Sequence, residues 1–256
     1  MADIEEDRIF RDSKSPETLY IGSDIGLVKA NASNSRLGKF GIIHRGEIHD
    51  LTVMGDRIVV ATGEGVGIVE GESIHNLGLG SADAVGHLDG HILASTGGSL
   101  MRYRDGSWRE ICYIDEIRAI GGRLLASASG IYRLPSCKYA GLGNAYDVSD
   151  AGPYAATEEG IFRLANGWVL EKEGLATAIE VSNGRTGAVV NGKYLERDSD
   201  WFENSTPTEE RIVDLAFGES TYLVSAEGTL LAAESGSGEW RSHLLGVSNV
   251  TSLAIC

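Results

Sequence analysis

The stretch DEIRAIGGRLLASASGIYRL, residues 115–134, falls into three short runs, EIRAI, RLLAS and GIYRL, divided by Gly121-Gly122 and by Ser129-Gly130. Short Gly-containing connections between apolar runs are hairpin signals, because a positive φ at the turn costs little only for Gly and a few other residues. The stretch therefore predicts a three-stranded meander. Three strands with one apolar face cannot bury that face alone, so the unit has to stack on copies of itself.

Copies are present along the chain. With Gly130 as the hairpin anchor, equivalent glycines stand at Gly26, Gly65, Gly98, Gly160, Gly192 and Gly228, spaced by 30 to 39 residues. Four residues before each anchor lies a small or medium side chain: Gly22, Ala61, Ala94, Ala126, Ala156, Ala188 and Val224. That position marks where neighbouring sheets approach closely. Two residues after the anchors stand Val28, Gly67, Leu100, Tyr132, Phe162, Tyr194 and Leu230, mostly bulky and suited to filling the space between sheets. A fourth strand follows, opened by Trp108, Trp168, Trp201 or Trp240 in four copies and supplied by FGIIH from Phe40, SIHNL from Ser73 and KYAGL from Lys138 in the others.

Seven repeats of four antiparallel strands predict an all-β, seven-bladed β-propeller forming a single domain over residues 1–256. Residues 1–18 are expected to be an amino-terminal extension. The first copy opens at Leu19 with a second strand, LYIGS, and the chain ends in VTSLAI, which matches the first strands EIRAI and IVDLAF. Residues 250–255 are therefore expected to complete the first blade and close the ring, leaving no free edge at the seam. The alternative places Arg8–Phe10 in that position.

The whole chain from residue 19 to 256 resembles a family of seven-bladed β-propellers from haloarchaea, and its blades are similar in plan to those of two-component-regulator and sortilin-type propellers. The resemblance rests on the recurring hairpin Gly, the DGxW-like turn at Asp105–Trp108 and the alanine of the second strand. It implies a fold and brings no catalytic residues.

Composition narrows the function. Asp and Glu total 37 against 22 Lys and Arg, a net charge of −15, and only six of the basic residues are Lys. The acids are scattered, which predicts an acidic solvated surface suited to concentrated salt. With no basic cluster, nucleic acid is not an expected partner. The acidic amino terminus MADIEEDRIF lacks the pattern of a secretory signal, and no apolar run approaches the ~20 residues of a membrane span, so a cytoplasmic protein without a membrane partner is expected. Cys112, Cys137 and Cys256 are odd in number and widely spaced, indicating neither a disulfide framework nor a zinc site.

Asp50, Asp83 and Asp115 each stand eleven residues before the small position, and Asp147 and Asp214 fall close to the same point. Acids at the start of the innermost strands would converge on one mouth of the central channel. Such aspartates commonly accept backbone N–H bonds, and that is the expected role here. The alternative is a metal site of His49, Asp50, Asp83 and Asp115 holding Ca²⁺ or Mg²⁺ in a hydrolase or lactonase. Strand alternation sends His49 and Asp50 in opposite directions. RDGSW at Arg104–Trp108 reads as a turn, and GEGVG at Gly63–Gly67 lacks the helix that gives phosphate loops their anion affinity. No nucleophile or zinc-hydrolase motif occurs. The expected function is a non-catalytic interaction module, possessing no cofactor and taking a protein partner on one face.

Overall fold

The computed structural model describes residues 16–33, 35–235 and 237–256. Blade 1 opens with β1 Glu17–Ser23, β2 Gly26–Ser33 and β3 Arg36–Arg45. Blade 2 holds β4 Ile48–Met54, β5 Arg57–Thr62, β6 Gly65–Glu70 and β7 Ser73–Leu79. Blade 3 holds β8 Val85–Leu88, β9 His91–Thr96, β10 Ser99–Arg104 and β11 Ser107–Tyr113. Blade 4 holds β12 Ile117–Gly121, β13 Leu124–Ser127, β14 Gly130–Arg133 and β15 Lys138–Gly141. Blade 5 holds β16 Ala145–Val148, β17 Tyr154–Thr157, β18 Gly160–Leu164 and β19 Trp168–Glu173. Blade 6 holds β20 Ala176–Ser182, β21 Arg185–Val190, β22 Lys193–Arg197 and β23 Trp201–Glu203. Blade 7 holds β24 Ile212–Phe217, β25 Ser220–Ser225, β26 Thr229–Glu234 and β27 Trp240–Leu244, and β28 Val250–Ile255 returns to blade 1.

Each blade is a four-stranded antiparallel sheet, and β28 is hydrogen-bonded to β1 as the innermost strand of the first. The inner strands touch their neighbours around the whole ring. The fold is thus the expected seven-bladed propeller, closed by residues 250–255. Strand β1 begins at Glu17, two residues ahead of the expected start, because Thr18 and Cys256 exchange two backbone bonds of 2.9 Å. Arg8–Phe10, the alternative closing strand, lies outside the described residues.

Hydrophobic clusters form between adjacent blades. Leu19, Ile21 and Val28 of blade 1 meet Tyr222, Val224 and Leu230 of blade 7, and Val189 and Tyr194 of blade 6 meet Leu215, Phe217 and Leu223. Fully burying one such aliphatic side chain is worth roughly 1.5–3 kcal/mol, so each blade depends on its neighbours. The hairpin glycine is enforced by space: Gly130 has φ 128°, and a Cβ there would run into the Leu142 carbonyl oxygen.

The tryptophans tie blades together at the rim. Trp108 Nε1 donates to the Leu77 carbonyl at 2.9 Å, Trp168 Nε1 to the Ala140 carbonyl at 2.8 Å, and Trp201 Nε1 to Glu171 at 3.2 Å. In each case the acceptor belongs to the outermost strand of the preceding blade. Glu171 also accepts from Arg163 of its own blade and from Arg197 Nε of blade 6 at 2.9 Å.

Two of the three cysteines pair, against the expectation of no disulfide. Cys112 and Cys137 form a disulfide, S–S 2.02 Å, joining β11 of blade 3 to the β14–β15 turn of blade 4, and Cys256 is free and exposed. Their separation of 25 residues carries no pairing signal, whereas the fold brings the Cα atoms to 6.6 Å.

Candidate functional site

The register of the inner strands decides what faces the axis. Pairing slips between Ile48 and Asp50, between Ala145 and Asp147, and between Ile212 and Asp214. A bulge of this kind re-aims the following side chain. It sets Asp50 opposite Ala61, Asp147 opposite Ala156 and Asp214 opposite Val224, three of the small positions of the repeat.

All three carboxylates are used in the same way. Asp50 Oδ1 accepts the Leu51 N–H at 2.8 Å and Oδ2 the Val85 N–H of blade 3 at 2.9 Å. Asp147 accepts from Val148 at 2.7 Å and from Ile179 of blade 6 at 2.8 Å. Asp214 accepts from Leu215 at 2.8 Å and from Leu253 of the closing strand at 2.7 Å. Each aspartate is a clasp between one inner strand and the next.

Together with Asp150 and Glu180 these residues line an axial cavity of about 120 Å³, with no Lys or Arg among the described residues of its wall. Burial is the main cause of raised pKa values throughout: Asp50 and Asp214 are pushed up to about 7, Glu180 to about 8, and Asp147 well above the usual carboxylate range. The backbone donors pull Asp50, Asp147 and Asp214 down but do not win, and neighbouring carboxylates add to the rise at Asp50, Asp147 and Glu180. At neutral pH the cavity therefore holds a partly protonated set.

The residues named from sequence divide. Asp50 lies in the cavity wall and accepts backbone bonds, but from the neighbouring blade as well as from its own strand. Asp83 is exposed and accepts the Gly97 N–H at 3.2 Å, and Asp115 is exposed in the loop before β12. His49 occupies the bulge, with Nδ1 2.6 Å from the Ala82 carbonyl and Nε2 3.4 Å from Glu47. Both His49 and Asp50 reach toward blade 3, because the bulge breaks the expected alternation. Among the described residues, no group of three or more His, Cys, Asp or Glu is placed to hold a metal ion, so His49, Asp50, Asp83 and Asp115 are not gathered into one site. Asp147 and Asp214 are the true counterparts of Asp50. Glu180 and Asp150 were missed, and only the cross-strand register, bulges included, could have located them.

Beside the axis lies a larger cleft of about 550 Å³ spanning blades 3 to 5. It opens on the face formed by the β8–β9, β12–β13 and β16–β17 turns. Leu88, Leu124, Leu134, Pro153 and Leu164 give it an apolar lining, and His87, Asp89, Arg123, Arg133 and Asp150 give it charge. Arg123 pairs with Asp89 at 3.1 Å, and Asp150, which accepts the Gly122 N–H at 2.9 Å, lines both this cleft and the axial cavity.

Fold and channel together define a closed seven-bladed β-propeller. The chain belongs to the HVO_0234-like beta-propeller family, which it matches over residues 3–256. No curated protein matches it. Among solved structures it is similar to the extracellular domain of BT4673 from B. thetaiotaomicron, described as a hybrid two-component system, at 12% identity and a TM-score of 0.64 over 81% of this chain. The match spans 35% of that solved chain. It is also similar to apo AztD from Citrobacter koseri, at 12% identity and a TM-score of 0.54 over 91% of this chain and 83% of that one. A computationally designed protein, Ika8, matches at 13% identity and a TM-score of 0.60 over 94% and 88% of the two chains. At these identities the likeness is one of fold.

Proposed function

We propose that this propeller is a non-catalytic interaction module that takes a protein partner on the face bearing the β8–β9, β12–β13 and β16–β17 turns. The observation that supports this most is the 550 Å³ cleft on that face, with an apolar lining and charged residues around it. The axial aspartates support it in a second way, since Asp50, Asp147 and Asp214 each spend both carboxylate oxygens on backbone N–H groups. The acidic balance favours a salt-rich setting. The disulfide favours an oxidising compartment over the cytoplasmic location expected from the amino-terminal sequence.

The test is affinity capture from source cells at their native salt, comparing the intact protein with the Arg123→Glu, Arg133→Glu double variant. Loss of a captured protein without a change in melting temperature supports the reading, and an identical captured set from both counts against it. The rival reading, a metal-dependent hydrolase, has against it that no group of three or more His, Cys, Asp or Glu among the described residues is placed to hold a cation. It requires Ca²⁺ or Mg²⁺ to raise the melting temperature saturably at constant ionic strength, with the rise lost in Asp50→Asn, Asp214→Asn. Such a rise would put the enzyme first.

A further inference from the structure

The outer strand of blade 1 is unlike the other outer strands. Strand β3, RLGKFGIIHR, is 10 residues long, whereas the outer strands of blades 2 to 7 run from 3 to 7 residues. It carries Arg36, Lys39 and Arg45 and no acid, a charge of +3 with His44 neutral, in a chain of −15. The other six outer strands lie between −1 and +1 on the same count. None of the three basic side chains is paired with an acid among the described residues.

Strand β3 stands at the sheet edge, paired with β2 alone among the described residues. Phe40 and Ile42 are 43% and 39% exposed along it. An edge of this length offers a row of backbone donors and acceptors to another chain. Charge decides which chain. A second copy pairing edge to edge would set cations against cations, and a basic segment would be repelled in the same way.

We propose that β3 is a docking edge for an extended, acidic polypeptide segment, which adds to blade 1 as a fifth strand. Backbone hydrogen bonds would supply attachment, Phe40 and Ile42 apolar contact, and Arg36, Lys39 and Arg45 the selection for acid. Room for a side chain of the added segment exists where the strand starts, since Arg36, Leu37 and Gly38 also line a cavity of about 740 Å³ between blades 1 and 7. This surface is separate from the cleft of blades 3 to 5, and the inference goes beyond the partner proposed there.

The probe is a fluorescein-capped nonapeptide of alternating Glu and Val, compared by anisotropy with its Lys-for-Glu counterpart. In about 0.1 M KCl the Glu peptide should bind about tenfold more tightly, and its binding should slow backbone amide exchange within residues 36–45. The Arg36→Glu, Lys39→Glu, Arg45→Glu variant should reverse the preference while still unfolding cooperatively. The Arg123→Glu, Arg133→Glu variant should bind the Glu peptide as the intact protein does, which separates failure here from failure of the face reading. Equal binding of the two peptides, binding of neither, or protection outside β3 would overturn the proposal. So would a dimer in light scattering with residues 36–45 protected, because a second copy would then occupy the edge.

Discussion

Asp50, Asp147 and Asp214 hold the inner ring by one repeated device, a carboxylate that bonds its own strand and the next. Asp50→Ala leaves the Leu51 and Val85 N–H groups without their acceptor at a half-buried site, and is expected to cost about 1.5–3 kcal/mol. Asp50→Asn keeps one acceptor oxygen and should cost less. Asp83→Ala, at an exposed site with one N–H partner, should stay within about 0.5 kcal/mol. Urea melts of the three variants check this order, and an Asp83 effect as large as that of Asp50 would refute it. The carboxyls lining the axial cavity also set a pH dependence. Asp50 and Asp214 titrate near 7 and Glu180 near 8 in the folded state, against about 4 in an unfolded chain. The folded protein therefore holds the extra protons across that window. Stability should be greatest at its acidic end and fall as pH rises from about 4 through 7 to 8, the opposite of the trend for a salt-bridged carboxylate. A melting temperature higher at pH 5 than at pH 8, with a shallower slope in Asp214→Asn, is the expected result.

Among the elements, β28 closes the ring. It buries Val250, Leu253 and Ala254, and its Leu253 N–H satisfies Asp214. Thr251 Oγ1 also donates to the Ile48 carbonyl of blade 2 at 2.8 Å. At roughly 1.5–3 kcal/mol for each of its two large buried aliphatic side chains, the loss is about 3–6 kcal/mol, comparable with the lower end of a typical domain's stability of about 5–15 kcal/mol, and it also opens the seam. Removing residues 250–256 should abolish cooperative unfolding or cause aggregation, as read by calorimetry and light scattering. A truncated protein that melted like the intact one would mean that the seam is held elsewhere. The disulfide acts between elements as well. Denatured protein kept from reductant should titrate one thiol, Cys256, and three after reduction. Closing a loop of this length typically contributes about 3 kcal/mol, so reduction should lower the melting temperature.

For the whole molecule, an acid excess of 15 is spread over a rigid disc. Self-repulsion in dilute buffer is relieved at molar ionic strength, where the Debye length is ~3 Å. The melting temperature should climb between 0.1 and 3 M KCl, and a flat profile would remove the case for a salt-rich setting. The charge is uneven in one respect, because the long edge of blade 1 is basic within this acidic whole.

Much of the architecture is local and could be read from the chain. Hairpin glycines such as Gly130, the small residue four positions earlier and the match of VTSLAI to the other first strands determined seven blades and the closing strand, because turn sterics and two-residue alternation act over a few neighbours. The grouping of Asp50 with Asp147, Asp214 and Glu180, the bond between Cys112 and Cys137 and the tryptophan ties between blades were decided only by the tertiary structure. The aspartates stand 11, 9 and 10 residues before the small residues they pair with, because strand and turn lengths differ from blade to blade, so a fixed count of eleven found Asp50 but chose Asp83 and Asp115 elsewhere. Ring closure then brings residues of blades 2, 5, 6 and 7 around one axis, a proximity that depends on packing between blades and leaves no trace in their separation along the chain.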